Sequence, residues 1–365
     1  MSECRLLYLI AQLGTGGAER QLVYLLRSMD RECYQPAVVV WNDSSGEPHL
    51  PYLRGLGVPC YALPSGRPGP AKMRALRQLV QQLQPEVVHS YSFYTNVAVQ
   101  WATQRTSMLP IGSLRGEFSW TKRDTGNWLG NLSARWPQTQ IYNSLSAFNE
   151  IKLARGFFVP RRPFVVCNAL DLDRFKNVPI PQQRRPLIVG VGSLLPVKRW
   201  DRLIAAARRL KDRGLEFIVR IVGDGPLRSS LTDYARELDV TDVVEIPGNN
   251  NDIPGVLGEA NFLVHTSESE GCPNAVMEAM ACGRAVVATD TGDIPALIEE
   301  GSSGFIVSRT SAEMLALRME TLIADPTMCW RMGNVGRAKA ARDFNLARLV
   351  SETLAVYRAV GWKDN

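Results

Sequence analysis

The chain has 365 residues, more than one typical domain, so we expect two domains of about 150–200 residues each. Hydrophobic residues make up 45% and charged residues 21% of the sequence, as in ordinary globular proteins. The sequence has no run of about eighteen apolar residues and no signal-peptide pattern, so we expect neither a membrane-spanning helix nor a leader peptide. The formal net charge is +6, but no helix-turn-helix, RNP or zinc-finger pattern accompanies it, so a nucleic-acid partner is not expected.

The first half of the chain alternates apolar runs with amphipathic segments. An apolar strand at 5–12 is followed by the glycine-rich loop GTGGAE (14–19) and a helix at 20–29. The apolar run at 36–41 predicts another strand, and 76–92 predicts a helix, a proline-marked turn and a strand. Strands that alternate with helices predict right-handed βαβ units on a parallel sheet.

A second α/β unit begins after NVPIPQQRRP (177–186), a stretch rich in Pro, Gln and Arg that predicts a linker. The strand LIVGVGSL (187–194) precedes a long helix at 199–214, which ends on a glycine. Further strands are predicted at 216–226, near 243–247, and at 261–265, 285–290 and 304–307, with a helix at 227–238. We therefore expect two Rossmann-like, doubly wound parallel-sheet domains of the α/β class in tandem, with the site in an interdomain cleft.

The predicted domains are 1–177 and 178–345, and a final helix at 346–365 is expected to pack back toward the first domain. The basic excess lies in the first half: residues 1–175 hold 19 Lys and Arg against 12 Asp and Glu, or +7, whereas the other 190 residues hold 23 against 24, or −1. This excess fits a solvated face, and it equally fits a surface that meets an anionic membrane or a phosphorylated substrate.

The seven cysteines are scattered along the chain and include no C-x-x-C pair. Zinc sites and disulfide frameworks show regular cysteine spacing, so this pattern argues against both. Unpaired cysteines are typical of a reducing compartment, and we therefore expect a cytoplasmic protein.

The loop GTGGAE lies between a predicted strand and a predicted helix, where the backbone N–H groups of Gly16 and Gly17 can approach an anion. It is similar to the dinucleotide-binding pattern G-x-G-x-x-G, but Glu19 occupies the sixth position, and its carboxylate would repel a pyrophosphate. Three interpretations of this loop remain: a tight turn, a phosphate-binding site and, least favoured, an NAD-binding site.

Three more candidates follow predicted strand ends. Lys198 in VGSLLPVK is either a solvated loop charge or, in a cleft, a clamp for a diphosphate. Gly223 in VGDGP indicates a turn and, by itself, nothing more. His89 ends PEVVH, where a histidine is either satisfied by local hydrogen bonds or faces the cleft as a catalytic group.

The segment TSESEGCPNAVMEAMACG combines a strand end, a loop and a helix for which Asn274 is the expected N-cap. Glu270 lies in the loop and Glu278 about one turn into the helix. The free N–H groups of Ala275 and Val276 would form an anion site between these two carboxylates. A nucleotide sugar has hydroxyls at both ends of its diphosphate and suits this arrangement. Metal binding, which no D-x-D pattern or Asp/His cluster supports, and acid–base glycoside hydrolysis are the alternatives.

Residues 266–307 resemble the E-x7-E block of the retaining family 4 glycosyltransferases, which have the GT-B fold. The resemblance covers most of the chain, through GGAE (16–19), PEVVHS (85–90), YNS (142–144), NALDLDRF (168–175), VGSLLPVK (191–198), VGDGP (222–226) and the closing segment 332–360. Each motif alone is weak, but their order and spacing together are specific. The resemblance implies α-glycosyl transfer from a sugar nucleotide with retention, no cofactor and no obligatory metal.

The same resemblance implies roles for individual residues. Glu270 would contact donor-sugar hydroxyls, Lys198 the diphosphate and Glu278 the ribose, while His89 would lie near the reacting sugar in the domain that binds the acceptor. The implied mechanism is front-face, so stabilisation of the leaving diphosphate is the main contribution of the protein. The implied catalytic set is Glu270, Lys198 and His89, and the donor-binding set is Glu278, Gly16, Gly17, Ser193, Arg199, Gly223, Gly271, Cys272, Pro273, Asn274, Ala275 and Val276.

Several positions depart from the family pattern. Ser193 stands five residues before Lys198, where arginine is usual, and Arg199 follows the lysine where glycine is common and could compensate. The usual N-G-[IV]-D turn has Ala169 in place of glycine, and Tyr91 replaces a frequent second histidine. Both glutamates and Lys198 remain, which favours variation within the family.

The resemblance implies a UDP-sugar donor, favoured over a GDP-sugar by family frequency, and a glycan or lipid-linked acceptor in cell-surface polysaccharide or glycolipid synthesis. The basic first half and the aromatic-basic stretch 115–136 predict peripheral contact with the anionic inner face of the cell membrane. A non-catalytic GT-B subunit that binds a nucleotide sugar is the alternative, and an NAD(P)-dependent oxidoreductase is less favoured.

Overall fold

The computed structural model describes residues 4–14, 16–42, 47–66, 69–154 and 156–363. The chain divides into two compact units. Unit 1 consists of Met1–Ala169 together with Leu346–Asn365, and unit 2 is Leu170–Asn345. Each unit is built on its own parallel sheet, so each is described by itself.

The strands of the described residues are short and mostly buried. In chain order they are β1 (Leu6–Ile10), β2 (Pro36–Val40), β3 (Cys60–Ala62), β4 (Val87–Ser90), β5 (Leu109–Leu114), β6 (Thr139–Tyr142), β7 (Arg162–Val165), β8 (Leu187–Val191), β9 (Ile218–Val222), β10 (Val244–Gly248), β11 (Phe262–His265), β12 (Ala285–Thr289) and β13 (Gly304–Val307). Runs of Val, Ile and Leu such as LLYLI in β1 and AVVAT in β12 are buried along their whole length. Such continuous apolar runs are typical of parallel strands that helices cover on both faces.

Helices connect these strands. In chain order they are α1 (Gly17–Ser28), α2 (Arg31–Tyr34), α3 (His49–Gly55), α4 (Gly69–Leu83), α5 (Asn96–Ala102), α6 (Phe118–Asp124), α7 (Asn127–Arg135), α8 (Leu145–Leu153), α9 (Trp200–Asp212), α10 (Arg228–Glu237), α11 (Ile253–Glu259), α12 (Asn274–Ala281), α13 (Ile294–Leu297), α14 (Ala312–Ala324), α15 (Pro326–Asp343) and α16 (Leu346–Ala359). Among the described residues, no helix combines the length and the apolar character needed to cross a bilayer.

The described part of unit 1 contains a seven-stranded parallel sheet in the order β3-β2-β1-β4-β5-β6-β7. Strand β1 pairs with β2 on one side and with β4 on the other, with Tyr8 opposite both Val38 and His89. The C-terminal helix α16 belongs to this unit because its Leu349 and Tyr357 are buried in the same core as Tyr8. This packing places residues from the far end of the chain beside the strand that carries His89.

The described part of unit 2 contains a six-stranded parallel sheet in the order β10-β9-β8-β11-β12-β13. Strands β8 and β11 are neighbours, and β12 follows β11. The carboxyl ends of β8, β9, β11 and β12 therefore meet at one edge of the sheet, where the loops that follow them can converge. The predicted α/β class, with one parallel sheet in each unit, is thus confirmed.

The division between the units falls between Ala169 and Leu170, eight residues before the predicted boundary at 177/178. Leu170 and Phe175 are fully buried in the core of unit 2, with residues of α12 and α15. In addition, the Leu170 N–H donates to the carbonyl of Phe344 at 2.7 Å. The stretch predicted as a linker, 177–186, thus follows a segment that already belongs to unit 2.

Candidate functional site

The candidate site in unit 2 is built around the loop between β11 and α12. Strand β11 ends at the buried His265, and α12 begins at Asn274. The predicted N-cap at Asn274 is wrong: the cap is Pro273, which has no side-chain hydrogen bond to offer, and Asn274 is the first helical residue. Pro273 has a φ of −75°, which its ring fixes, and a ψ of 108°, so the chain is extended at this residue and turns into the helix directly after it.

A buried polar cluster surrounds the Glu270 carboxylate. The Lys198 ammonium lies 2.5 Å from Oε1 of Glu270, the Ser267 hydroxyl donates to the same oxygen at 2.7 Å, and the His265 Nε2 lies 3.1 Å from it. The Glu270 side chain is only 14% exposed. Three hydrogen-bonding groups therefore converge on one carboxylate oxygen in a site that is largely shielded from water.

The cluster sets the charge of Glu270. Burial by itself raises the pKa of this carboxyl, but the positive charge of Lys198 and the hydrogen bonds from His265 and Lys198 outweigh burial and bring the pKa well below its usual range. Nδ1 of His265 is buried with no hydrogen-bond partner in the described part of the chain. An unpaired buried N–H would be costly, so we assign the proton to Nε2, which then donates to Glu270.

Hydrogen bonds to backbone carbonyls fix Lys198 relative to this loop. Lys198 ends a short 3-10 turn, Pro196–Lys198, in the loop after β8. The Glu268 N–H donates to the carbonyl of Val197 at 2.8 Å, and the Thr266 hydroxyl donates to the carbonyl of Lys198 at 2.8 Å. The structure thus brings together Lys198 and Glu270, which the sequence singled out separately, and joins their loops through the main chain.

Gly292, which the sequence reasoning missed, closes the other side of the Glu270 loop. Its φ is +54°, and a Cβ at this position would lie less than 3.0 Å from the carbonyl oxygens of both Glu270 and Gly271. The next residue, Asp293, donates its N–H to the carbonyl of Gly271 at 2.9 Å. Only glycine accepts this φ and this close approach together, and the signal for it was the DTG turn directly after a buried strand.

The loops after β8 and β9 also meet through a glycine. Gly223 has a φ of +153°, and a Cβ on it would overlap the carbonyl of Gly192. Beside it, the Leu194 N–H donates to the carbonyl of Asp224 at 2.9 Å, and the Trp200 indole N–H donates to the carbonyl of Ser193 at 3.0 Å. Gly223 and Ser193, both predicted donor-binding residues, therefore belong to one packed pair of loops at the carboxyl edge of the sheet.

Arg199 has its own carboxylate partners. Its guanidinium lies 2.8 Å from the Asp201 carboxylate and 3.2 Å from the Glu268 carboxylate. The hydrogen bond to Asp201 is the main cause that raises the pKa of Arg199, and Glu268 adds to the rise. Its backbone is left-handed, with a φ of +51° between the 3-10 turn and α9. Arg199 is thus paired with two carboxylates, whereas Glu270 is the one carboxylate that Lys198 contacts among the described residues.

The helix α12 carries the remaining candidates of unit 2. Glu278 is 2% exposed and lies one turn into the helix, as predicted. Cys272 and Val276 are buried in the apolar core, so their side chains serve packing, and only their backbones are available to a ligand. The candidate residues that form the loop and the first helical turn are Gly271, Cys272, Pro273, Asn274, Ala275 and Val276.

In unit 1, Gly16 and Gly17 form the start of α1. Gly16 is the N-cap and Gly17 the first helical residue. Glu19 folds back over this helix start, close to where a Cβ on Gly16 would lie. Burial raises the pKa of Glu19, and a hydrogen bond from its own backbone N–H partly offsets that rise. A carboxylate therefore already occupies the helix start that a dinucleotide phosphate would need.

His89 lies in β4 and is 1% exposed. Its Nδ1 is 2.7 Å from the Tyr357 hydroxyl of α16, and its Nε2 is 2.7 Å from the Ser113 hydroxyl. Burial, helped by the charge of Arg115, holds the pKa of His89 well below its usual value, so the imidazole is neutral. Tyr91, which replaces the second histidine of the family pattern, is buried under the Arg115 guanidinium, 3.5 Å from the ring centroid.

Two family models match successive parts of the chain. Residues 16–148 match the glycosyl transferase 4-like domain, and residues 172–339 match glycosyl transferases group 1. The first match lies in unit 1 and the second in unit 2. Both models describe glycosyltransferase domains, and the match of one model to each parallel-sheet unit agrees with the GT-B fold class.

Several characterised or named proteins are similar in sequence. The putative colanic acid biosynthesis glycosyltransferase WcaL of Salmonella typhimurium is 33% identical over 196 residues, which cover 51% of this chain and 48% of that protein. WcaL of Escherichia coli is 32% identical over 212 residues, or 52% of its length. The aligned part of this chain thus spans about half the length of these relatives. The putative glycosyltransferase EpsD of Bacillus subtilis is 25% identical over 87% of this chain and 88% of its own.

Solved structures are similar in fold along nearly the whole chain. The crystal structure of Anabaena Alr3699/HepE in complex with UDP-glucose has a TM-score of 0.83 at 20% identity, and the match covers 97% of this chain and 99% of that one. Sucrose-phosphate synthase (tll1590) from Thermosynechococcus elongatus has a TM-score of 0.82 at 17% identity, with 98% and 99% covered. At these identities the likeness shows the fold alone.

Proposed function

We propose that this chain is a retaining glycosyltransferase that moves a hexosyl or N-acetylhexosaminyl group from a nucleotide diphosphate sugar to a glycan or lipid-linked acceptor. A UDP-sugar is favoured over a GDP-sugar, and the setting is cell-surface polysaccharide or glycolipid synthesis, in the cytoplasm with peripheral contact to the membrane. The observation that carries the proposal is the shielded Lys198–Glu270 pair at the carboxyl edge of the unit 2 sheet. The glycosyltransferase matches of both units support it, as do the names of WcaL and of the UDP-glucose complex of HepE.

Lys198 and Glu270 have complementary roles in this proposal. Within the described part of the chain, the three hydrogen-bonding groups on Glu270 all reach Oε1, which leaves Oε2 to accept from hydroxyls of the donor sugar. The Lys198 ammonium has three N–H groups, so it can hold Glu270 and still donate to the diphosphate. On helix α12, Glu278 binds the ribose hydroxyls and the backbone amides of Ala275 and Val276 bind the phosphates.

The proposed reaction is a front-face substitution that needs no metal. The acceptor hydroxyl attacks the anomeric carbon on the face from which the diphosphate leaves, the glycosidic C–O bond to phosphate breaks, and a phosphate oxygen takes the hydroxyl proton. Negative charge grows on the diphosphate, and Lys198 and the helix start stabilise it. Loss of one such contact costs about 3 kcal/mol, or about a hundredfold in rate.

His89 enters the proposal as a positioning residue. Both of its ring nitrogens are bonded to hydroxyls, and its low pKa keeps it neutral, so proton transfer by this imidazole has no support in the structure. Its place at the end of β4 puts it at the carboxyl edge of the unit 1 sheet, beside Tyr91. We propose that this edge of unit 1 binds the acceptor.

One observation favours the non-catalytic alternative, a GT-B subunit that binds a nucleotide sugar without transferring it. Ser193 replaces the usual arginine of the diphosphate clamp, and Arg199, the nearby cation that could replace it, is held by Asp201 and Glu268. Lys198 is then the one cation left to stabilise the diphosphate, beside the backbone amides of α12. An NAD(P) enzyme is disfavoured because Glu19 occupies the start of α1.

A thermal-shift panel with UDP, GDP, ADP and NAD(P) followed by donor turnover tests the proposal. UDP should stabilise the protein most, by about 2.7 kcal/mol at a hundredfold excess over its Kd. Glu270→Ala should abolish slow UDP-sugar hydrolysis, whereas Glu245→Ala, a matched change at an exposed glutamate of β10, should leave it unchanged. Stabilisation by UDP without turnover of any UDP- or GDP-sugar would support the non-catalytic subunit, and stabilisation by NAD(P) alone would overturn both.

A further inference from the structure

Unit 1 exposes an unusual group of large apolar side chains. Trp128 near the start of α7 is 76% exposed, Leu153 at the end of α8 is 79% exposed, and Phe157, four residues further on, is 61% exposed. The sequence had predicted the aromatic-basic stretch 115–136 as the surface. Part of that stretch is core instead, because Phe118 is buried with Leu114.

These side chains are joined by cations. The Arg135 guanidinium lies 4.5 Å from the ring centroid of Phe157 and donates to the carbonyl of Val159 at 3.2 Å. Trp128 and Arg135 are seven residues apart, which places them on one face of α7, about 10 Å from each other along the helix. The helix α7 and the segment after α8 therefore contribute to one surface.

A second aromatic ring, Phe158, and a second cation, Lys122, extend this surface. The rings of Phe157 and Phe158 meet edge to face, with centroids 5.3 Å apart, and the Lys122 ammonium of α6 lies 5.9 Å from the centroid of Phe158. We call the set Lys122, Trp128, Arg135, Leu153, Phe157 and Phe158 the aromatic-basic surface. Around it, residues 118–162 hold seven Lys and Arg against two Asp and Glu, a net charge of +5.

Unit 2 shows a different use of the same residue types. Its exposed tryptophan, Trp330 on α15, is 58% exposed. Its surface arginines form ion pairs with carboxylates, such as Arg208 with Asp212 at 2.6 Å and Arg220 with Glu245 at 2.7 Å. The combination of exposed rings with cations lying over them therefore distinguishes α6–α8 of unit 1.

We propose that the aromatic-basic surface docks on an anionic lipid bilayer. Aromatic rings and a leucine favour the boundary between headgroups and acyl chains, and lysine and arginine favour anionic headgroups, so a lipid surface satisfies both components. The excess of five positive charges is complementary to such a surface. The docking stands on these side chains alone, while its purpose, access to a lipid-linked acceptor, rests on the proposed function.

Vesicle flotation with the full chain tests the docking. We expect binding to vesicles of phosphatidylcholine with about 30% phosphatidylglycerol at low salt, and weaker binding in about 0.5 M salt, because added salt screens the attraction. The variant Trp128→Ser/Phe157→Ser should bind at least about tenfold more weakly, since each ring removed takes apolar area from the contact. The control Trp330→Ser/Leu317→Ser changes two exposed apolar residues of unit 2 and should bind like the parent chain.

The charged component is tested in the same way. Lys122→Gln/Arg135→Gln should weaken binding by about fivefold per cation removed, whereas Arg208→Gln/Arg236→Gln in unit 2 should not. Absence of binding to anionic vesicles at any salt, equal binding to pure phosphatidylcholine, or equal loss in the two control variants would overturn the proposal. So would self-association of the chain that Trp128→Ser/Phe157→Ser abolishes while vesicles stay unbound.

Hydrolysis of a UDP-sugar in the absence of vesicles separates this proposal from the proposed function. All four variants should retain it, because their substitutions lie outside the donor site, and this shows that they are folded. If hydrolysis is absent from the parent chain but anionic vesicles are bound, the transferase proposal fails and the docking stands. If hydrolysis is present and vesicles are not bound, the reverse holds.

Discussion

Gly292 offers a sharp test of how the donor site is held together. Replacing it with alanine adds a Cβ that would lie less than 3.0 Å from the carbonyl oxygens of Glu270 and Gly271, in a residue whose φ is +54°. Because the overlapping atoms belong to the backbone, a rotamer change cannot relieve the overlap. The 270–271 turn must therefore move by roughly half an ångström or more, which disturbs the contact between the Glu270 carboxylate and Lys198.

The magnitude has two parts. The left-handed φ itself costs an alanine about 1–2 kcal/mol relative to glycine. Gly301→Ala is the matched control, because Gly301 also belongs to unit 2, has a φ of +73° and has nothing within 4 Å of its Cβ position. Gly301→Ala should therefore lose about 1–2 kcal/mol of unfolding free energy and no activity. Gly292→Ala should lose roughly 1–3 kcal/mol more than this control. Its turnover should also fall about a hundredfold, since a displacement approaching 1 Å is enough for such a loss.

Urea unfolding gives the two stabilities, and release of UDP from a UDP-sugar gives the two turnover numbers. We expect Gly301→Ala to keep the parent kcat and Gly292→Ala to lose most of it at a substrate concentration well above KM. If both variants turn over the donor within a factor of two of each other, the contact between the DTG turn and Glu270 does not position the carboxylate, and the reasoning is refuted.

Two further predictions concern charge. Lys198→Met should raise the pKa of Glu270, because the positive charge that opposes the effect of burial is removed. A ¹³C NMR titration of the Glu carboxyls measures this pKa. An unchanged pKa would show that Lys198 does not control it. Burial keeps the His89 imidazole neutral in the folded protein, whereas the unfolded chain protonates His89 below about pH 6.5. The contribution of His89 to the free energy of unfolding is therefore complete above that pH. Below it, the free energy of unfolding falls by about 1.4 kcal/mol per pH unit. His89→Gln should remove this slope in urea unfolding at pH 7.5 and 5, and an identical slope in both chains would contradict the assignment.

Much of the fold could be predicted because the strands are continuous apolar runs. LLYLI, AVVAT and GFIV are such runs, and these three strands end within two residues of their predicted bounds, whereas β8 and β9 are shorter than predicted. Lys198 and Glu270 follow β8 and β11, which are neighbours, so both residues lie at one edge of the sheet. The family resemblance had implied that both contact the donor.

What escaped prediction depends on contacts between distant parts of the chain or on local backbone detail. Nδ1 of His89 is hydrogen-bonded to the hydroxyl of Tyr357, which lies 268 residues away in the sequence. No periodicity in the sequence marks such a pair. His265 and Ser267 are close to Glu270 in sequence, but only the loop geometry shows that both reach the same oxygen. The helix start was misplaced by one residue because an asparagine next to Pro273 looked like the better cap.

The most direct test of the central claim is a ¹H NMR time course of UDP-sugar turnover. The Lys198–Glu270 site is proposed to transfer sugar with retention, so the first sugar released to water, or joined to an added acceptor, should carry the α-anomeric signal of the donor. The signal should be absent from the Glu270→Ala protein and present in Glu245→Ala. A β-anomeric first product would contradict retention, and an intact donor across a panel of UDP- and GDP-sugars would contradict the assignment of this site to glycosyl transfer.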